Sequence, residues 1–138
     1  MTIDYLFVYG TLRKNGGSEL SQFLLKHANY VGEATFQGKL FNVHHYPGVI
    51  ESENSQDRVL GELYQLTKPE VLLPLLDDYE ECTADYPKPH EYSREAKELM
   101  SHELGLIKSW IYLYKHDTSK LEHIQSGDYL GFLNIEKV

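Results

Sequence analysis

Asp77-Asp78-Tyr79-Glu80-Glu81 puts four carboxylates into five residues, just ahead of a stretch that carries Pro87 and Pro89. A carboxylate crowded by others, or dried by aromatic neighbours, holds its proton more tightly and can serve as acid and base near neutral pH. Glu80 is the candidate for that work. A solvated acidic helix end would look the same, and spacing alone does not separate the two. The second stretch able to do chemistry is Tyr5-Leu6-Phe7-Val8-Tyr9-Gly10-Thr11-Leu12-Arg13. Tyr5 to Tyr9 reads as a buried strand rich in strand formers. Gly10 is expected to take a backbone conformation closed to other residues and so open a tight turn. Amides around Thr11 would then stand at the end of a central strand, where small anionic groups are often held. An ordinary strand and turn fits the same residues.

Other reactive side chains lack the company they need. Glu62 lies in a buried-looking strand and is expected to point out of the barrel or to pair with a cation such as Arg94. Cys82, beside several acids, should have a raised pKa and make a poor nucleophile. His44 and His45 are adjacent, with no third ligand at a metal-like spacing, so no metal is expected. Ser18 and Ser126 show no nucleophile-elbow context.

These groups must be positioned by one domain. A chain of 138 residues can bury one real core and is short for two, so residues 1–138 are read as a single domain. Thirteen basic residues against 21 acidic ones give a net charge of −8. No Lys/Arg cluster suits phosphate neutralisation, which argues against a nucleic-acid partner. No run approaches a membrane-spanning length. The single cysteine excludes an intrachain disulfide, and Asp4 interrupts any signal-like segment, so a reducing cytoplasm is the expected setting. Eleven tyrosines suit half-buried strands, pocket walls or a dimer face, leaving monomer and homodimer both open.

The elements follow from periodicity and breakers. Lys14 to Ser18 is polar and flexible in composition. Ser18 caps a short amphipathic helix over Glu19 to His27. Tyr30 to Val43 reads as one long or bent strand interrupted by Gly32 and Gly38. His44 to Gly48 reads as a turn, and Val49-Ile50 starts another strand. Arg58 to Leu66 is a strand with a mid-strand glycine. Thr67 and Glu70 have capping-box spacing ahead of an apolar helical face, with Pro74 predicting a kink or a second short helix. Cys82 to Glu91 is a loop. Tyr92 to Met100 and Ile107 to Tyr114 are strands, and Ser126-Gly127-Asp128-Tyr129 is a turn before a short apolar stretch. The expected fold is α+β: a small, mixed, closed or nearly closed β-barrel of about six strands with two or three short helices.

Taken in order, several segments resemble the gamma-glutamylcyclotransferase-like family. Val8-Tyr9-Gly10-Thr11-Leu12-Arg13 is similar to its first strand and turn, Tyr46-Pro47-Gly48 to a Tyr-Pro-Gly turn, and Gly61-Glu62-Leu63-Tyr64 to a middle strand. Leu76-Asp77-Asp78-Tyr79-Glu80 is similar to the segment whose glutamate is the family's acid/base, and Tyr92-Ser93-Arg94 to the Tyr-x-Arg that follows. Trp110 to Tyr114 and Ser126-Gly127-Asp128-Tyr129 resemble its last strand and its tail. Two features depart: the family glutamate is often followed by Gly, where this chain has Glu81-Cys82, and the 82–91 loop is longer than in compact members.

The resemblance implies release of a gamma-glutamyl group as 5-oxoproline. The substrate's own α-amine attacks its γ-carbonyl and expels an amine, with proximity supplied by the substrate itself. Glu80 would move both protons. Tyr9, Gly10, Thr11 and Leu12 would hold the glutamyl α-carboxylate or oxyanion through backbone amides. Arg13 would help electrostatically, and Tyr92 and Tyr114 would wall the pocket. No cofactor is implied. The gamma-glutamylamine branch is the nearer in look. A non-catalytic module binding a small carboxylate or phosphate on the same barrel is the alternative.

Overall fold

Strand β1, Tyr5–Val8, divides the core in two. Leu6 and Val8 pack with Leu24, Leu72, Leu76 and Tyr112. Phe7, and Tyr9 just past the strand, pack with Val49, Leu63, Ile111, Leu113 and Tyr129. The two-residue period of the strand sends alternate side chains to opposite faces, and here both are covered. The computed structural model describes residues 3–13 and 18–136, the last three as backbone only. The polar stretch expected at 14–17 lies outside the described residues.

Around β1 the sheet closes on itself. β1 pairs antiparallel with β5 (Val59–Leu66) and parallel with β7 (Gly105–Tyr114). β2 (Ala28–Phe36) runs between β5 and β6 (Tyr92–Ser101), giving a closed barrel in the order β1-β5-β2-β6-β7. A second sheet, β4-β3-β8, is built from β3 (Gly38–Val43), β4 (Tyr46–Glu51) and β8 (Glu122–His123). Helices α1 (Glu19–His27), α2 (Pro69–Tyr79) and α3 (Tyr129–Glu136) complete the α+β barrel expected from the sequence.

Four local readings change. The strand expected over Tyr30 to Val43 is two strands in different sheets, parting at Gln37. The glycine signals were sound in kind: the β2–β5 register shifts between Tyr30 and Gly32. His44 and His45 have φ of 48° and 83° and form the whole loop between the paired residues Val43 and Tyr46. Two positive φ values in a two-residue hairpin suit the right-handed strand twist, so Tyr46-Pro47-Gly48 falls in β4 rather than in the turn. Lys68, not Thr67, is the N-cap of α2, with Pro69 opening the first turn. Thr67 instead donates its hydroxyl to the His27 carbonyl at 3.4 Å. Pro74 sits inside one continuous α2. It and Glu70 are exposed, so water can serve the Glu70 carbonyl that Pro74 leaves without an N–H.

Candidate active site

Glu80 is the C-cap of α2, and backbone hydrogen bonds fix the chain on both sides of it. Its own N–H donates to the Leu76 carbonyl at 2.9 Å. The Glu81 N–H donates to Asp78 and the Cys82 N–H to Asp77, both at 3.0 Å. This pair of bonds is a Schellman closure, in which the residue after the cap turns left-handed. That residue is Glu81, with φ of 56°. Glycine is the residue that meets this demand without strain. Here a glutamate occupies it and lines the cavity described below.

Asp77 ties the end of α2 to the barrel. Arg94 on β6 donates from Nε to Oδ1 at 2.7 Å and from Nη2 to Oδ2 at 3.0 Å. Tyr112 on β7, paired in register with Arg94, donates its hydroxyl to Oδ1 at 2.7 Å. The Arg94 guanidinium lies 4.2 Å from the centroid of Trp110. Arg94 therefore pairs with Asp77 rather than with Glu62. The Tyr112 carbonyl also accepts the Tyr9 hydroxyl at 2.6 Å, so one residue braces both the helix end and the start of the turn after β1.

Between these braced parts lies a cavity of about 660 Å³. Its wall includes Tyr9, Gly10, Thr11 and Leu12 from the turn, Pro47 from β4, Glu80 and Glu81 from the end of α2, Tyr86, His90 and Glu91 from the loop, and Tyr92. Five sequence-selected residues thus share one cavity with Tyr92. The other two do not line it. Tyr114 packs edge-to-face on Tyr92, ring centroids 5.6 Å apart, and so stands behind the wall. Arg13 is 8% exposed and turned to Glu62 and Asp128.

Gly10 earns its place by packing, not by unusual backbone. Among the described residues the glycines with positive φ are Gly32, Gly105 and Gly127. A Cβ on Gly10 would stand 2.6 Å from Pro47 Cγ, so the turn and β4 touch backbone to ring at the cavity wall. The Tyr92 hydroxyl donates to the Pro47 carbonyl and holds that contact from the other side.

The electrostatics single out Glu80. Burial first, then the charges of Glu91, Asp77 and Glu81, push its carboxyl from 4.5 up to about 7. Burial and the nearby Glu80 charge raise the Tyr9 hydroxyl well above its ordinary value, which keeps it a hydrogen-bond donor. Burial, then a hydrogen bond to Glu91, push Tyr46 up to about 12. Burial and the charges of Asp77 and Glu80 push the Cys82 thiol up to about 11, in line with a poor nucleophile. Among the described residues no three His, Cys, Asp or Glu side chains are grouped to hold a metal ion.

Tyr112, Glu81, Glu91 and Tyr46 were not selected from the sequence. Tyr112 had a signal, the Trp110-Tyr112-Tyr114 alternation opposite Tyr92 and Arg94. Tyr46 had one in the Tyr46-Pro47-Gly48 segment, Glu81 only its place beside Glu80, and Glu91 none.

The family description Gamma-glutamyl cyclotransferase, AIG2-like matches residues 6–131. A Methanocaldococcus jannaschii protein provisionally named a gamma-glutamylcyclotransferase is 30% identical over 132 residues, covering 94% of this chain and 98% of that one. A mouse protein named gamma-glutamylaminecyclotransferase is 32% identical over 94 residues, 61% of this chain and 59% of that one. The crystal structure of YkqA from Bacillus subtilis superposes with a TM-score of 0.72 at 25% identity, over 99% of this chain. This chain spans 43% of the YkqA chain. With the barrel, the glutamate at the helix end and the turn after β1 in place, the chain belongs to the gamma-glutamyl cyclotransferase, AIG2-like family.

Proposed function

We propose that this protein releases 5-oxoproline from gamma-glutamyl amines, with Glu80 as the only proton carrier. The observation behind this is a carboxyl raised to about 7 on the wall of a cavity that also includes the turn Tyr9 to Leu12. The substrate α-amine nitrogen attacks the γ-carbonyl carbon and forms the ring C–N bond. The nitrogen reacts as the free amine, and Glu80 takes the one proton that it sheds as the ring bond forms. The tetrahedral centre then collapses, the bond to the leaving amine breaks, and its electron pair leaves with the nitrogen. Glu80 returns the proton to that nitrogen, so acid and base are balanced within one turnover. No water is consumed. Backbone amides of the turn would hold the α-carboxylate or the developing oxyanion.

The charge of the wall supports an amine as the second half of the substrate. Glu80, Glu81 and Glu91 line the cavity, and none of the described lining residues is Lys or Arg. The C-terminal end of α2 adds its negative dipole end. A leaving group that carries its own carboxylate would meet repulsion here. Tyr46, Tyr86 and Tyr92 offer rings on which an alkylamine or ammonium group can rest.

The test is a panel of gamma-glutamyl amines and gamma-glutamyl dipeptides, followed by 5-oxoproline release. Turnover of the amines that disappears in Glu80→Gln is the expected result. No product from any member of the panel would leave the binding module as the better reading, and full activity in Glu80→Gln would remove the mechanism.

A further inference from the structure

Arg13 is the centre of a buried clamp that joins three segments distant in sequence. Its Nη1 donates to Asp128 Oδ1 at 2.8 Å, and its Nε lies 3.4 Å from Glu62 Oε2. Glu62 is the register partner of Val8 in the β1–β5 ladder, so the chain leaves β1, turns and returns its Arg13 side chain toward β5. The Arg13 N–H donates to the Gly10 carbonyl at 3.0 Å and closes the turn whose residues line the cavity. Backbone and side chain of one residue thus fix both the width of the turn and its place on the barrel.

The far end of the clamp is itself anchored. Asp128 Oδ1 also accepts the Gly131 N–H at 3.1 Å and so caps the start of α3. Gly127 before it has φ of 70°, and a Cβ there would stand 1.9 Å from the Arg58 carbonyl oxygen. The Gly127 carbonyl accepts the Leu60 N–H at 2.8 Å. The Ser126-Gly127-Asp128 turn is therefore seated on the start of β5, and Asp128 is delivered to Arg13 from a fixed base.

Placement decides what this cluster can do. Nη1 and Nε of one guanidinium are turned to Asp128 and Glu62, and Arg13 does not line the cavity. We infer that Arg13 is a positioning residue: the Asp128–Arg13–Glu62 clamp sets the geometry of the Gly10–Leu12 turn and thereby the affinity for the substrate's α-carboxylate. This role replaces direct electrostatic help from Arg13 and rests on the cyclotransferase reading of the cavity.

Asp128→Asn and Arg13→Lys test it. The first keeps a side-chain oxygen for the Gly131 N–H but removes the charge that holds Arg13. The second keeps the charge but loses the planar fork. In the clamp, both variants raise KM about fivefold or more and leave kcat within about twofold, the signature of lost ground-state binding rather than lost chemistry. The pH profile set by Glu80 stays where it is. Direct binding of substrate by Arg13 gives the opposite sign for Asp128→Asn, because freeing the guanidinium lowers KM. A KM that falls or does not move in the folded Asp128→Asn protein overturns the clamp. Amide hydrogen exchange provides a readout without substrate: the backbone N–H of residue 13, bonded to the Gly10 carbonyl, exchanges faster in both variants, while the β6–β7 hairpin does not. If the wild-type protein releases no 5-oxoproline, the enzymatic reading fails and exchange alone judges the clamp, with an unchanged rate at residue 13 overturning it.

Discussion

Asp77 and Glu80 stand one helical turn apart at the end of α2, and Asp77 is the one bound to the barrel. Its carboxylate takes Arg94 in two hydrogen bonds and Tyr112 in a third, while Glu80 lines the cavity. The anchoring acid also raises the pKa of the other. Burial and three neighbouring charges thus act on Glu80, while the Asp77 oxygens are taken up by Arg94 and Tyr112.

Arg94→Ala should therefore cost more than a surface ion pair. It leaves the partly buried Asp77 carboxylate with Tyr112 alone and removes the cover on Trp110. A loss of about 1–3 kcal/mol in urea unfolding is expected, the range for a hydrogen bond to a charged group left unmade. Turnover should fall as the end of α2 loosens, although Arg94 does not line the cavity. A folded Arg94→Ala protein with wild-type kcat would show that Glu80 is held by its backbone bonds alone.

Glu80→Gln should be inactive and more stable. The folded pKa of about 7 lies above the ordinary 4.5, so the folded state holds the proton more tightly than the unfolded chain. Wild-type stability then falls as pH rises from the lower value to the upper one, and the loss is complete above about 7. Glu80→Gln escapes that loss. Its advantage is expected to reach on the order of 2 kcal/mol near pH 8 and to vanish near pH 4, a figure trimmed by the partial exposure of the side chain. The wild-type kcat/KM should rise through an acid limb near 7 as Glu80 ionises in the free enzyme. Unfolding curves at the two pH values and a pH–rate profile check both halves.

Much of this was legible because the chemistry sits on simple elements. β1 is a short apolar run with a glycine at its exit, and α2 delivers Glu80 at the end of a periodic apolar face. Strand-to-sheet assignment was not legible. Gln37-Gly38 reads as a bend within a strand, yet it is where the chain leaves the barrel, because a Cβ on Gly38 would meet the Ile50 carbonyl oxygen at 2.5 Å. That contact is 12 residues away in sequence and leaves no local mark. The Arg13 clamp was hidden for the same reason: its partners lie 49 and 115 residues away. The turn after Val43 was read, but not its two-residue length, because its positive φ values fall on His44 and His45 rather than on the usual Asn and Gly.

Gly10→Ala tests the corrected role of that glycine. The added Cβ meets Pro47 Cγ rather than a forbidden φ, so the turn and β4 must separate. A loss of about 1–3 kcal/mol is expected, as for overpacking, together with a raised KM because both separated segments wall the cavity. Gly10→Val should be worse in folding as well as in binding. A second substitution, Pro47→Ala, should recover part of the stability of Gly10→Ala. No recovery would argue that the backbone of Gly10 is the real constraint.

Glu81→Gly should stabilise the protein and move its pH profile. A non-glycine residue at φ of 56° carries a strain of roughly 1 kcal/mol that glycine relieves. The substitution also removes a negative charge that raises the Glu80 pKa. The Tm should rise, and the acid limb should shift toward lower pH. Glu81→Gln separates the two effects: it keeps the strain and removes the charge, so it should shift the limb without raising the Tm through backbone relief.

Leaving-group charge gives the sharpest test of what the wall is for. The expected order of kcat/KM is a gamma-glutamyl diamine with a free ammonium, then a neutral gamma-glutamyl alkylamine, then gamma-glutamyl-aspartate. Each step is expected to be about three- to tenfold, the range of modest electrostatic coupling in a partly open site. Glu91→Gln should compress that order, because Glu91 lines the cavity. Added salt should compress it as well, since charges near a cavity mouth are screened within about 8–10 Å at moderate ionic strength. An order that survives both Glu91→Gln and salt would place the selectivity in the tyrosine rings. A preference for gamma-glutamyl-aspartate would overturn this reading of the wall, whose lining also includes His90 and His116.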